Sequence, residues 1–193
     1  LERSCAALRT WGTGDRLAPF GIAVNVSARQ LVSGDFFSTV EHAVSSAGID
    51  PTRLVLEMTE NLLIEDSDRA MKVLSDLRRF GVRIAVDDFG TGYSSLSYLT
   101  RLPIDIVKID QSLIAGIAGG PEAVVVSAVT NLAHELGMIV VVEGIENQAQ
   151  HDEIVRIGCD YAQGFYFSEP MSESEMMGIN WSLPLPNGPS RFR

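Results

Sequence analysis

A chain of 193 residues with 46% hydrophobic content can bury a sizeable core, which excludes a disordered segment. Fifteen basic residues against 25 acidic ones leave a net charge of −10, which argues against nonspecific DNA or RNA binding and means that an anionic ligand needs cations placed locally. No apolar run reaches the ~18 residues that span a bilayer, and Cys5 and Cys159, with no CxxC partner, fit a reduced compartment and argue against a thiolate zinc site.

Helical and strand patterns alternate along almost the whole chain. Leu1, Cys5, Leu8 and Trp11 form one helical face. Residues 21–26 read as a strand, 36–47 as a helix ended by Gly48, 54–57 as a strand, and 67–80 as a helix ended by Gly81. The apolar run 82–86 reads as a buried strand leading into Asp87 and Asp88, followed by a short helix near 96–102 closed by Pro103. Then come a strand over 106–109, a helix over 122–136 ended by Gly137, a strand over 139–143, a helix over 148–157 and a last strand over 161–167. Ser172 and Glu175 have the spacing of a capping box for a final helix. The Pro- and Gly-bearing stretch 182–193 reads as an irregular tail, leaving 1–181 as one domain.

Two segments share a spacing: Gly81 to Asp87 and Gly137 to Glu143 each run glycine, apolar strand, carboxylate. Helices that end in glycine and feed all-apolar strands predict a parallel sheet covered on both faces. An open doubly wound sheet and a (β/α)8 barrel both satisfy that pattern. Asn25, Glu57, Asp87, Lys108, Glu143 and Gln163 fall at or near the carboxyl ends of successive strands, and a barrel gathers all such ends at one rim. The expectation is an α/β chain folded as a modified TIM-type (β/α)8 barrel. Six of the eight strands are read, so about two N-terminal strands are expected to be missing. The chain begins at Leu1 rather than Met, which fits a piece of a longer protein.

Adjacent carboxylates at the end of a buried strand are unfavourable unless a cation accompanies them. Asp87 and Asp88, with Asn25 and Glu57 from neighbouring strands, offer oxygen ligands alone, which suits Mg²⁺ or Mn²⁺. Asp88 sits where a second ion would lie roughly 3.5–4 Å from the first, the spacing used in phosphodiester cleavage. Lys108 interrupts an apolar strand. It fits either a cation steering phosphate or water, or a Schiff-base nucleophile of aldolase type; the surrounding acids favour the first. Asp110 beside it is an ion-pair partner on the simplest reading. Glu143 and Glu146 form another acidic strand end, and Gln163 adds an amide. His42, His134 and His151 fall in helices or near a helix start and read as ordinary helix residues.

These residues carry a resemblance. Asn25 in VNVSARQL, Glu57 and Glu60 in LEMTE, the segment DDFGTGYSSLSYLTRLPIDIVKID, and VVVEGIEN with GCDYAQGFYFSEP together resemble the EAL-domain family over residues 1–171. The resemblance implies a bacterial phosphodiesterase that opens cyclic di-GMP to linear pGpG with two Mg²⁺ or Mn²⁺ ions on a modified (β/α)8 barrel. It implies Asn25, Glu57 and Asp87 as ligands of the first metal, Asp88 at the second, and Glu143 as a further metal-site carboxylate. Lys108, Glu143 and Asp88 form the implied catalytic group. Gln163, Asp110 and Glu146 are the implied substrate contacts, and Glu60 the anchor of the loop over 88–95. The Glu-Ala-Leu signature itself is absent, and its place would be N-terminal to the helix that begins at Leu1. The implied setting is cytoplasmic, in a parent free to be anchored in the inner membrane, with sensory or GGDEF-type domains and a homodimer among the implied partners. The rival from another class is a cyclic di-GMP receptor or interaction module without turnover.

Overall fold

The computed structural model describes residues 1–11, 21–31, 33–59, 67–91 and 99–178. Their elements, in chain order, are α1 (Glu2–Trp11), β1 (Ile22–Asn25), α2 (Ala28–Leu31), α3 (Phe36–Ala47), β2 (Leu54–Thr59), α4 (Ser67–Phe80), β3 (Arg83–Phe89), β4 (Ile106–Ile109), α5 (Glu122–Glu135), β5 (Ile139–Val142), α6 (Gln148–Ile157), β6 (Tyr161–Ala162) and α7 (Glu173–Gly178). The six strands follow one another through the sheet in sequence order, β1-β2-β3-β4-β5-β6. The registered pairs β1–β2, β4–β5 and β5–β6 are parallel. This is the strand succession of a TIM-type barrel, carried by six strands.

The chain divides into two compact units, and the division runs through β3 between Val86 and Asp87. In the first unit, α1 buries Cys5 and Leu8, and α3 buries Phe36, Val40, Ala43 and Val44, each one helical stripe. Leu54, Leu56 and Met58 of β2 and Leu74 and Leu77 of α4 are also buried. Gly48 ends α3 in the left-handed region at φ 65°, where glycine carries no Cβ penalty. In the second unit, all four residues of β4 are buried, as expected of a parallel strand covered on both faces. Ala123, Val126, Val129, Thr130 and Ala133 form the buried stripe of α5.

Two aspartates fasten the amino ends of the strands by the same device. The Asp105 N–H donates to Ile84 O (2.9 Å), while its carboxylate accepts from the Ile84 N–H (3.0 Å) and Arg78 Nε (2.8 Å). Asp160 repeats this on Val140, donating to its carbonyl (3.1 Å) and accepting from its N–H (2.8 Å), with His134 Nε2 at 2.9 Å in place of the arginine. Each carboxylate therefore joins the strand before it to the end of a helix.

Two element expectations are corrected. The described part of the short helix expected over 96–102, Leu99–Leu102, is turn, in keeping with the bias that Pro103 places on the residue before it. The last strand is Tyr161–Ala162 and does not continue to Phe167. After Gln163 the chain folds onto Ile145, which donates its N–H to Gln163 O (3.1 Å) and accepts from the Tyr166 N–H (2.9 Å). Gly164 permits this approach, because a Cβ there would collide with the Ile145 backbone. The capping box of α7 is present: Ser172 Oγ accepts from the Glu175 N–H (3.3 Å), and Glu175 Oε2 accepts from the Ser172 N–H (2.7 Å). The expected tail over 182–193 lies outside the described residues. Among those described, no helix is long and apolar enough to cross a membrane.

Candidate metal centre

Parallel pairing sets the depth of each side chain at the carboxyl ends of the strands. In the second unit, Lys108 lies opposite Val141 within the buried β4–β5 ladder and is only 6% exposed. Such a charge requires partners, and it has them: Nζ is 2.9 Å from Asp87 Oδ1 and 2.5 Å from Glu143 Oε1. Asp87 comes from the carboxyl half of β3. Glu143 follows β5 and is held in line by its N–H on Ile109 O (3.0 Å). Gln163 is held likewise by its N–H on Val142 O (2.8 Å), and its Nε2 donates to Glu143 Oε1 at 2.8 Å.

Asp88 is the one described non-glycine residue with positive φ, at 55°. Aspartate tolerates that conformation better than most residues, and here it places a second carboxylate beside the first. The Asp88 N–H donates to Asp87 Oδ1 (3.1 Å). Burial pushes the Asp88 carboxyl up from its ordinary pKa; the charges of Asp87 and Asp110 add to this, and Lys108 opposes it. Asp87, Asp88 and Glu143 each offer an oxygen, and the three lie within 4.8 Å of one another. Three carboxylates around one ammonium are under-neutralised, and an all-oxygen donor set suits a hard divalent cation of the Mg²⁺, Mn²⁺ or Ca²⁺ type. The residues therefore fit such an ion.

A cleft of about 450 Å³ opens beside the cluster, lined among others by Asp88, Glu143, Glu146, Gln163, Phe165 and Pro170. Asp110, the expected ion-pair partner of Lys108, lines it too, and its carboxylate accepts from the Ser112 N–H (2.9 Å) to cap the 3-10 turn Gln111–Leu113. In the first unit, Asn25 ends β1 in register with Glu57 of β2, and the Val26 N–H donates to Glu57 O at 2.8 Å. Glu60 and residues 92–95 of the loop it is expected to anchor lie outside the described residues. His42, His134 and His151 sit on helices and do not belong to the cluster.

Three contributors escaped the sequence reading. Gln150 is 5% exposed; its Oε1 accepts from the N–H groups of Glu146 (2.8 Å) and Asn147 (3.3 Å), while its Nε2 donates to Ile114 O (3.3 Å), fixing the loop behind Glu143. Asn147 and Gln150 form a capping box, a signal that was readable in the sequence. Gly144, at φ 74°, packs where a Cβ would collide with Gln111. Phe165 stands exposed in the cleft, and periodicity had assigned it to a strand.

The EAL domain, as a family, matches residues 1–170. The chain belongs to the EAL-domain family. Among this EAL chain's relatives is the bifunctional diguanylate cyclase/cyclic di-GMP phosphodiesterase MucR of Pseudomonas aeruginosa, 38% identical over 178 residues, covering 92% of this chain and 26% of that protein. The chain thus spans about a quarter of that relative's length, and 21% of the signaling protein YkoW of Bacillus subtilis, to which it is also 38% identical over 89% of its own length. The structure of the PaMucR phosphodiesterase in complex with c-di-GMP superposes with a TM-score of 0.82 at 37% identity, covering 91% of this chain and 71% of that one. The manganese and cyclic di-GMP complex of Klebsiella pneumoniae BlrP1 gives a TM-score of 0.81 at 31% identity, covering 89% of this chain and 43% of that one.

Proposed function

We propose that this EAL chain is a divalent-metal-dependent phosphodiesterase that hydrolyses cyclic di-GMP to linear pGpG. The observation that carries the reading is the cluster of Asp87, Asp88 and Glu143 around Lys108, open to a cleft, in a chain whose relatives act on or bind this dinucleotide. Asp87, Asp88 and Glu143 are the proposed metal-holding carboxylates. Bound Mg²⁺ or Mn²⁺ would supply the charge that draws a phosphate to an acidic site and that makes water a better nucleophile.

The remaining work falls to the chain's own residues. In the reaction, water adds to phosphorus and the P–O3′ bond breaks. The 3′ oxygen leaves with a proton, so one ring opening gives one 5′-phosphate and one 3′-hydroxyl. Lys108 is held between two carboxylates, an environment that suits the ammonium and not the neutral amine of an imine-forming enzyme. Its proposed task is to orient the attacking water and to offset charge building on the phosphate oxygens. Gln163 and Lys108 both bond Glu143 Oε1, so they fix the orientation of that carboxylate. Glu146 and Asp110, lining the same cleft, are proposed contacts for the rest of the substrate.

The test is incubation of the protein with cyclic di-GMP and Mn²⁺ or Mg²⁺, followed by chromatography. The expected result is pGpG that disappears when EDTA is added. Tight binding of cyclic di-GMP with no product would make the chain a receptor instead.

A further inference from the structure

Among the described residues the buried polar side chains are Lys108 at the acidic cluster, Thr130 in α5 and Gln150 in the first turn of α6. Burying a primary amide is costly unless its two ends are bonded, and those of Gln150 are. Oε1 accepts from the N–H groups of Glu146 (2.8 Å) and Asn147 (3.3 Å), in the loop after β5. Nε2 donates to Ile114 O (3.3 Å), just past the turn that follows β4. That carbonyl also accepts from the Ile117 N–H (3.2 Å), so the amide takes its second lone pair. The same two loops touch where Gly144 packs against Gln111. Each loop carries an acid of the cleft: Asp110, whose carboxylate caps the turn, and Glu146, which is exposed. Glu143 is fixed without Gln150, through Ile109 O, Lys108 and Gln163.

We infer that Gln150 is a positioning residue: it clamps the two loops together, sets the spacing between Asp110 and Glu146 across the cleft, and thereby sets the affinity for substrate. This rests on the proposed cyclic di-GMP reading. Gln150 does not line the cleft and acts through the backbone groups it bonds. An amide group is planar, so its acceptor and donor ends hold the two backbones at a fixed separation. A carboxylate of the same shape still accepts from Glu146 and Asn147, but it turns an oxygen toward Ile114 O. A thioether of similar size supplies neither a donor nor a strong acceptor. Because Glu143 has restraints of its own, the clamp acts on substrate binding and leaves that metal-holding carboxylate in place.

The test compares Gln150→Glu and Gln150→Met with the parent protein. With cyclic di-GMP and saturating Mn²⁺, both are expected to raise KM by about 5- to 150-fold with kcat within about threefold of the parent. Mn²⁺ uptake, followed by electron paramagnetic resonance, should stay within about threefold, because the hold on Glu143 is untouched. A lower unfolding midpoint with an unchanged KM would make Gln150 a packing residue and overturn the inference, as would a loss of Mn²⁺ uptake with KM unchanged. Amide hydrogen exchange tests the clamp in the parent itself. The Glu146 and Asn147 N–H groups, bonded to a buried side chain, should be protected there and released in Gln150→Met. Exchange of both at the rate of an open loop in the parent overturns the inference whether or not the variants fold. If the parent forms no pGpG, the dissociation constant for cyclic di-GMP takes the place of KM under the same expectations. If it neither turns over nor binds that dinucleotide, the proposed function fails; protected amides in the parent then still support the clamp, and fast exchange overturns it.

Discussion

Lys108 lies in a four-residue strand with no exposed position, and its two carboxylate partners come from β3 and from the residue that follows β5. Removing its ammonium leaves Asp87 and Glu143 facing each other, so Lys108→Ala is expected to lower kcat for cyclic di-GMP by about 10²- to 10³-fold, read by initial rates of pGpG formation. Retention of more than a tenth of the parent rate would take Lys108 out of the mechanism. Gln163 acts one step back, through its 2.8 Å bond to Glu143 Oε1. Gln163→Leu should raise the Mn²⁺ concentration for half-maximal activity by about 10- to 100-fold, while saturating metal recovers most of the rate. Much of this centre was legible in the sequence, because a lysine or a carboxylate in an apolar run has few structural excuses. Asp87, Asp88, Lys108, Glu143 and Gln163 lie together in the second unit. Gln150 and Phe165 were not legible: one acts through its side-chain amide on the loop behind Glu143, and the other depends on where a turn aims a ring.

At the scale of elements, glycine-terminated helices feeding apolar strands identified nearly every described strand and helix, with the bounds of α3, α4, β4 and α6 as read. The reading of the last strand failed for a long-range reason. Tyr161 to Phe167 alternates like a strand, yet its later half is shaped by hydrogen bonds to Ile145, a residue far off in sequence. The aspartate fasteners at the amino ends were equally hidden, since their partners are 20 residues or more away. They yield a prediction of their own. Asp160→Ala leaves the Val140 N–H without its carboxylate and removes the His134 contact, and should cost about 1–3 kcal/mol of stability in urea unfolding. An unchanged midpoint would mean that water replaces the carboxylate at no cost.

For the molecule as a whole, each compact unit carries one fully buried thiol, Cys5 in the first and Cys159 in the second. Burial is the main influence raising both above the ordinary thiol pKa, and neither is accessible. At pH 8 a thiol-labelling reagent should therefore modify neither over minutes in buffer and both in denaturant. Mass spectrometry of a partly labelled sample would show which unit opens first, and rapid labelling in buffer would contradict a closed core in the unit concerned.

The account depends most on the second unit's carboxylates acting as a metal centre, and Mn²⁺ binding followed by electron paramagnetic resonance tests that without relying on turnover. The parent protein should take up Mn²⁺ with loss of the free-ion signal, and Asp87→Asn and Glu143→Gln should each weaken that uptake at least tenfold. Equal uptake by the parent and both variants would place the ion elsewhere and contradict the assignment.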